Sequence, residues 1–98
     1  MKTRKYKLAV QVVGTIINEW DPYSLLAIGC PNDEFDSEIA AVVKEIPRIK
    51  SRQDVVFALS RVFSNYFEPS RFTPDACSDV GTKLFKALSD NGLIEGRS

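Results

Sequence analysis

Apolar residues recur at steps of three and four along most of this chain, and this spacing limits its fold more than any other feature. Such spacing places side chains on one face of an α-helix. No segment alternates apolar and polar residues with the period of two that a half-buried strand shows. The pattern therefore predicts an all-α fold. The first helix is expected over residues 4–20, with an apolar face of Tyr6, Ala9, Val10, Val13, Ile16, Ile17 and Trp20.

Residues that start and stop helices place the later boundaries. Asp21 is followed by proline, which predicts a short helical turn over 22–28, because aspartate caps helices and proline suits the first helical position. The second main helix is expected over 37–46, with Asp36 as its cap. Pro47 disfavours helical geometry in the residue before it and should end this helix.

The third and fourth helices carry clearer terminal patterns. Ser51 and Asp54 resemble a capping box, so the third helix should run over 52–67. The fourth should start at 73–75, where threonine precedes proline, and should stop at 91–93, where a glycine suits a left-handed end. We therefore predict an all-α, compact bundle of four main helices plus one short helical turn.

The positions of four residues predict whether each is buried or exposed. Tyr66 falls on the buried face of the third helix, whereas Phe57 points roughly the other way. Phe72 has no obvious place in the core. Gly14 falls outside the apolar face of the first helix, where it would let another backbone approach closely.

The length of the chain allows one domain. With 98 residues, of which 44% are hydrophobic, the chain has enough apolar side chains for one core without a disulfide or a metal. We expect residues 1–98 to form a single helical domain in which 95–98 are frayed.

The absence of histidine excludes His-based catalytic triads, histidine metal ligands and imidazole pH switches. Cys30 and Cys77 fit neither a CxxC motif nor a zinc site, and they are either reduced, half-buried thiols or a single disulfide. Residues 33–36 hold three acids but lack the glycine and the distal glutamate of a calcium loop. We expect no enzymatic activity, no catalytic residue, no metal site and no cofactor.

The first residues do not predict export or membrane insertion. They are basic and then apolar, but Gln11 interrupts the apolar stretch 8–13 and no small-residue cleavage site follows it. No stretch approaches the roughly 18 apolar residues needed to cross a bilayer. We expect a cytoplasmic protein with no membrane partner.

A net charge of zero conceals a segregation of charges along the sequence. Residues 1–17 hold four bases and no acid, 18–45 hold seven acids and one base, and 46–73 hold five bases and two acids. The neutral total argues against a dedicated nucleic-acid binder, which carries a basic excess. An acidic block gathered on one surface would instead attract a basic partner.

Part of the acidic block has a structural explanation. Asp21 and Asp36 are expected as caps, and Glu38 lies in the first turn of its helix, where an acid favours the helix macrodipole. The acids at 33–34 lie in the preceding loop and have no such role. Together with Glu19, they form either a partner-facing acidic surface or an ordinary solvated one.

Two motifs make the sequence distinctive. Residues 18–26 read NEWDPYSLL and residues 31–39 read PNDEFDSEI. The pair resembles the YugE-like family of small bacterial helical proteins of unknown function, over about residues 8–68. Proteins of this type are similar to the small immunity proteins encoded beside bacterial toxins, including those of contact-dependent growth-inhibition systems.

The resemblance implies a cytoplasmic immunity protein that binds and neutralises a cognate toxin without chemistry of its own. If the toxin is a nuclease, its phosphate-binding site is basic, and an acidic surface would complement it. The predicted partner-binding residues are Glu19, Asp33, Glu34 and Asp36. An alternative interpretation is a non-enzymatic helical adaptor or a self-associating protein.

Overall fold

The computed structural model describes residues 3–22, 28–29 and 35–94, and these residues form four α-helices. The helices are α1 (Thr3–Trp20), α2 (Asp36–Glu45), α3 (Arg52–Tyr66) and α4 (Ser78–Asp90). Two short 3₁₀ helices, Ile46–Arg48 and Pro69–Arg71, follow α2 and α3. No strand occurs among the described residues. The predicted all-α bundle of four main helices is confirmed.

Helix α1 is closed by an aspartate in left-handed geometry. The main-chain N–H of Asp21 donates to the carbonyl of Ile17 at 2.9 Å, and Asp21 has a φ of 44°. Aspartate visits this region more readily than most residues. Pro22 is in 3₁₀ geometry, as the predicted turn requires, and the role of Asp21 as its cap stays a prediction. Residues 23–27, within the predicted turn, lie outside the described residues.

Helix α2 begins one residue earlier than predicted. The N–H of Ile39 donates to the carbonyl of Phe35 at 2.8 Å, so Asp36 is the first helical residue rather than the cap. The side chain of Phe35 is completely buried, and its burial draws the start of the helix into the core. At the other end α2 stops at Glu45, and Pro47 lies inside the 3₁₀ helix that follows.

Ser51 caps α3 as predicted. Its hydroxyl accepts the N–H of Asp54 at 3.2 Å. The carboxylate of Asp54 accepts the N–H of Lys50 at 2.9 Å, rather than that of Ser51 as in a capping box. Both hydrogen bonds satisfy main-chain donors at the helix start, which explains why this boundary could be read from the sequence.

Helix α4 starts later than predicted but ends as predicted. The hydroxyl of Thr73 accepts a main-chain N–H within a separate turn, and the helix itself begins at Ser78. At the other end Gly92 has a φ of 69°, and the N–H of Leu93 donates to the carbonyl of Leu88 at 2.9 Å. This is a Schellman ending, in which Leu93 folds back against the core.

Among the described residues, four aromatic rings surround the ring of Phe63 of α3. The ring of Trp20 approaches that of Phe63 edge-on with 5.0 Å between centroids, and Phe72 lies at 5.3 Å. Phe35 and Phe67 complete the cluster at 6.4 and 6.0 Å from Phe63. Such ring pairs contribute about 0.5–1.5 kcal/mol beyond their buried area. The cluster joins the end of α1, the start of α2 and the segment after α3.

Three aromatic predictions are wrong. Tyr6, expected on the apolar face of α1, is 46% exposed. Phe72, expected outside the core, is buried because the chain turns back after α3, where the Ser60 hydroxyl donates to the Phe72 carbonyl. Tyr66, expected on the buried face, is 51% exposed because α3 ends there and Phe67 turns toward the ring cluster instead. Phe57 is exposed, as predicted.

The helices form a ring in which α1 packs against α2 and α4, and α3 packs against the same two helices. The seam between α1 and α4 and the seam between α2 and α3 therefore lie on opposite sides of the bundle. Helices α1 and α4 run antiparallel, because Glu19 lines a groove with Asp79 and Leu8 lines one with Asn91.

Gly81 lies where α3 and α4 approach each other closely. A Cβ at Gly81 would be 2.5 Å from Cγ2 and 3.2 Å from Cα of Val56. Gly14 is buried, but a Cβ there would lie 3.6 Å from Cδ1 of Ile39, an ordinary contact. The expectation that Gly14 lies outside the buried face is therefore wrong, and no backbone approaches it closely. Gly81 is the glycine that allows another helix to come close.

Alanine at these two glycines should have opposite effects. Gly81→Ala should lower the free energy of unfolding by about 1–3 kcal/mol, because Val56 and its main chain must move. Gly14→Ala should raise it by up to about 1 kcal/mol through helix propensity. Chemical denaturation of both variants and the parent measures the difference. A neutral Gly81→Ala would contradict the close approach of α3 and α4.

Candidate functional site

Glu19 lies at the rim of a groove between α1 and α4. It occupies the last turn of α1, and its side chain is exposed. We name this recess of about 240 Å³ the Glu19 groove; it is lined by Ile16, Glu19, Trp20, Ala76, Asp79, Val80 and Lys83. A predicted partner-binding acid thus borders a recess with an apolar floor.

The core holds the floor of the Glu19 groove in place. Trp20 is partly buried, and its ring packs edge-on against Phe63 and Phe72, with 5.0 and 5.7 Å between centroids. Ile16 of α1 and Val80 of α4 complete the floor. A floor fixed from below is preorganised, which reduces the entropy cost of binding a partner.

The rim of the Glu19 groove has an excess of negative charge. Glu19, Asp79 and Lys83 are all exposed. None of the three forms an ion pair with another residue in the described part of the chain. Two carboxylates and one ammonium group beside an apolar floor fit a side chain, or a pair of side chains, that is both apolar and cationic.

The charge of Glu19 does not stabilise α1. An acid in the last turn lies beside the negative end of the helix macrodipole, a placement that costs about 0.3–1 kcal/mol. Helix α1 has no base in its last turn to offset this cost. Asp36 and Asp79, by contrast, lie in the first turns of α2 and α4, where an acid is stabilising. Of these three acids, only Glu19 lacks a local structural explanation.

Asp36 lies near the Glu19 groove but does not line it. It is exposed at the start of α2, next to Phe35. Phe35 and Trp20 both pack against Phe63, so the start of α2 and the end of α1 come together in the bundle. Glu19, however, faces α4, and the groove is built from α1, α4 and the turn before α4. Asp36 therefore does not belong to the groove, and its place in one acidic surface with Glu19 stays a prediction.

The remaining acids divide into three groups. Asp33 and Glu34 lie outside the described residues, so their assignment stays a prediction. Glu38 lies in the first turn of α2 as predicted, but it is buried and contributes nothing to the surface. Asp79 joins Glu19 at the groove. The sequence did not reveal Asp79, because only the packing of α4 on α1 brings the two together.

The α1–α4 seam continues into a second groove of about 310 Å³, which is lined by Leu8, Gln11, Val12, Thr15, Ile16, Ala87 and Asn91. Ile16 lines both grooves. The two therefore form one furrow along the seam, long enough to hold more than one side chain of a partner.

The opposite seam, between α2 and α3, carries a groove of about 370 Å³ with a different character. It is lined by Glu45, Arg48, Ile49, Asp54, Phe57, Ala58 and Arg61. Arg61 forms an ion pair with Glu45, and Arg48 lies 3.9 Å from the other oxygen of the same carboxylate. Phe57 is 46% exposed. We name Phe57, Arg48 and Arg61 the Phe57 cluster.

Cys77 is a free thiol, as one of the two interpretations predicts, and it is fully rather than half buried. Burial raises its pKa from 9.0 to about 11, because the surroundings disfavour the charged thiolate. A thiol that keeps its proton at neutral pH is a poor nucleophile and a poor metal ligand. Cys77 therefore serves as a small apolar core residue. Cys30 lies outside the described residues.

Within residues 3–22, 28–29 and 35–94, no three His, Cys, Asp or Glu side chains gather where they could hold a metal ion. None of the helices that these residues form combines the length and the apolar character needed to cross a membrane. The grooves along the two seams are the recesses that this part of the chain offers to a partner.

The resemblance to the YugE-like family and to immunity proteins remains a prediction from its two motifs. No family model, curated protein or solved structure matches this chain.

The free energy of unfolding should fall between pH 9.0 and about 11 through Cys77. In this window the unfolded thiol has lost its proton and the folded thiol keeps it, so stability decreases by up to about 1.4 kcal/mol per pH unit. Below this window both states are protonated and the effect vanishes. Cys77→Ala should be less stable overall. Its free energy of unfolding should fall less steeply with pH in this window, because the contribution of one titrating thiol is gone. Denaturation across the pH range measures it, and an unchanged slope would argue against the raised pKa.

Proposed function

We propose that this protein acts by binding another protein, and that the Glu19 groove and the acids near it are the binding surface. In its specific form, the partner is a cognate bacterial toxin, and the protein is a cytoplasmic immunity protein with no catalytic activity. An acid-bordered groove with a preorganised apolar floor supports this proposal.

The position of Glu19 is the observation that carries the proposal. The carboxylate is exposed, opposes the macrodipole of α1 and makes no ion pair with a described residue. It directly precedes Trp20, an aromatic residue of the kind that anchors protein interfaces. A residue that breaks a local rule without a structural gain is typical of a functional site.

A basic partner fits the charges of this surface. Nuclease toxins hold phosphates with lysine and arginine, so their active sites have a positive potential. An acidic surface accelerates encounter with such a site and excludes partners of the same sign. The apolar floor adds burial that does not depend on salt. The two sequence motifs resemble the YugE-like family, whose members are similar to immunity proteins, and this resemblance favours the same class of partner.

A second candidate function is that of a non-enzymatic helical adaptor or a self-associating protein. The Phe57 cluster favours it, because exposed aromatic and arginine side chains are enriched in protein interfaces. This cluster lies on the seam opposite the Glu19 groove. Such a protein would use one surface on each side of the bundle.

Charge reversal tests the acidic surface. Glu19→Lys and Asp36→Lys should each weaken binding to the toxin encoded beside the gene by about tenfold or more, mainly through slower association. The double variant Asp33→Lys/Glu34→Lys should do the same. Asp90→Lys is the control, because it reverses an exposed acid at the far end of α4. Its ion pair with Lys86 at 3.4 Å is exposed and contributes little to stability. Stopped-flow association at two salt concentrations measures the rates and their salt dependence.

Two results would count against the proposal. Unchanged affinity and unchanged salt dependence in all three acidic-surface variants would contradict the acidic surface. Failure of the protein to co-purify with the product of the neighbouring toxin gene would contradict the immunity function and favour the adaptor or self-associating alternative.

A further inference from the structure

The Phe57 cluster is explained neither by the fold nor by toxin binding. Phe57 lies on a face of α3 that the core does not use, and 46% of its surface is exposed. Arg48 and Arg61 border the same groove, and their side chains are 82% and 57% exposed. An aromatic ring flanked by two arginines has the composition of an energetic centre in a protein interface.

The groove beside Phe57 presents positive charge to a partner. Glu45 has two arginines near its carboxylate, so this grouping retains one positive charge. The carboxylate of Asp54, which also lines the groove, balances this charge. Lys50, whose N–H donates to Asp54 at 2.9 Å and whose side chain is exposed, restores a net charge of plus one to the surface. A partner for this surface should therefore bring carboxylates beside an apolar recess.

The Glu19 groove of a second copy of this chain has both features. Its floor is formed by Ile16, Trp20 and Val80, and its rim carries Glu19 and Asp79 against one lysine. Phe57 would contact the floor, while the two arginines would face the two carboxylates. The two surfaces thus match in hydrophobicity and in charge.

These surfaces cannot meet within one molecule, because they lie on opposite seams of the bundle. We propose that the Phe57 cluster of one copy docks into the Glu19 groove of the next, so that the protein self-associates head to tail. The contact joins two different surfaces on opposite sides, and such a heterologous contact produces open chains rather than a closed dimer.

The association should be weak and sensitive to salt. One aromatic side chain and two ion pairs make a small contact, for which a dissociation constant of about 10⁻⁵–10⁻³ M is reasonable. Exposed charge pairs are screened over about 8 Å at physiological ionic strength. Low salt should therefore strengthen the contact, and high salt should dissolve it.

Self-association would occupy the groove proposed for the toxin. Both contacts need Glu19 and the floor beside Trp20, so they exclude each other. A tightly binding toxin would therefore disperse the chains into separate complexes. The head-to-tail contact is argued from the surfaces of this chain alone and does not require that the toxin exist.

Sedimentation velocity of the protein alone tests this proposal. At low salt the weight-average sedimentation coefficient should rise with concentration to values beyond a dimer, and high salt should return it to that of a monomer. Phe57→Ser and Glu19→Lys should each associate at least about tenfold more weakly, because each removes one of the two surfaces. Tyr66→Ser is the matched control, since it removes an aromatic that is 51% exposed but lies outside the Phe57 cluster. This control should associate like the unmodified protein.

An equimolar mixture of the two variants gives the sharpest result. Phe57→Ser keeps the Glu19 groove, and Glu19→Lys keeps the Phe57 cluster. The two should therefore pair as a discrete 1:1 complex that grows no further. Non-specific attraction between exposed apolar residues would not produce this complementation.

The proposal is overturned if the unmodified protein stays monomeric at low salt and high concentration. It is equally overturned if the mixed variants fail to pair, or if Tyr66→Ser weakens association as much as Phe57→Ser does. Far-UV circular dichroism establishes that each variant is folded. A second mixture, of the single variants Arg48→Glu and Asp79→Lys, repeats the complementation test on the same two surfaces. Because no toxin is present in this experiment, its failure is distinct from a failure of toxin binding.

Discussion

The buried ring of Phe63 is the contact on which the rest of the structure depends. It meets Trp20 at the end of α1, Phe35 at the start of α2 and Phe72 in the segment that leads to α4. One side chain of α3 therefore contacts the end of α1, the residue before α2 and the segment that leads to α4. Removing a buried phenyl ring costs about 3–5 kcal/mol, which is a large share of the 5–15 kcal/mol by which most domains are stable.

The Glu19 groove depends on this same contact. Trp20 directly follows Glu19, so the packing of the indole on Phe63 sets where the carboxylate stands at the rim. The acid opposes the macrodipole of its helix, and the ring cluster beneath it offsets that local cost. The opposite seam needs no such support, because Phe57 lies on an outer face and its arginines are held by Glu45. On the α1–α4 side of the bundle, the position of the surface charge therefore depends on the packing of the ring cluster in the core.

Features that depend on interactions between neighbours in the sequence could be predicted, whereas features that depend on tertiary packing could not. Helical periodicity, the serine cap at Ser51 and the left-handed glycine at Gly92 are local, and the structure confirms them. Phe72 in the core and Asp36 as a helical residue were missed, because tertiary packing of aromatic rings decides both. The site follows the same rule. An exposed acid next to a tryptophan could be singled out, but Asp79 could not, since its place at the groove requires α4 to pack on α1.

The emission of Trp20, the single tryptophan of the chain, in a Phe63→Leu variant tests the central role of this ring cluster most directly. The emission should shift to longer wavelength, because the indole loses its edge-on neighbour and gains water, and the free energy of unfolding should fall by about 1–3 kcal/mol. Phe85→Leu is the control, since Phe85 is also buried but lies outside the cluster. This control should lose stability without a shift. An unchanged emission in Phe63→Leu, or equal shifts in both variants, would contradict the account.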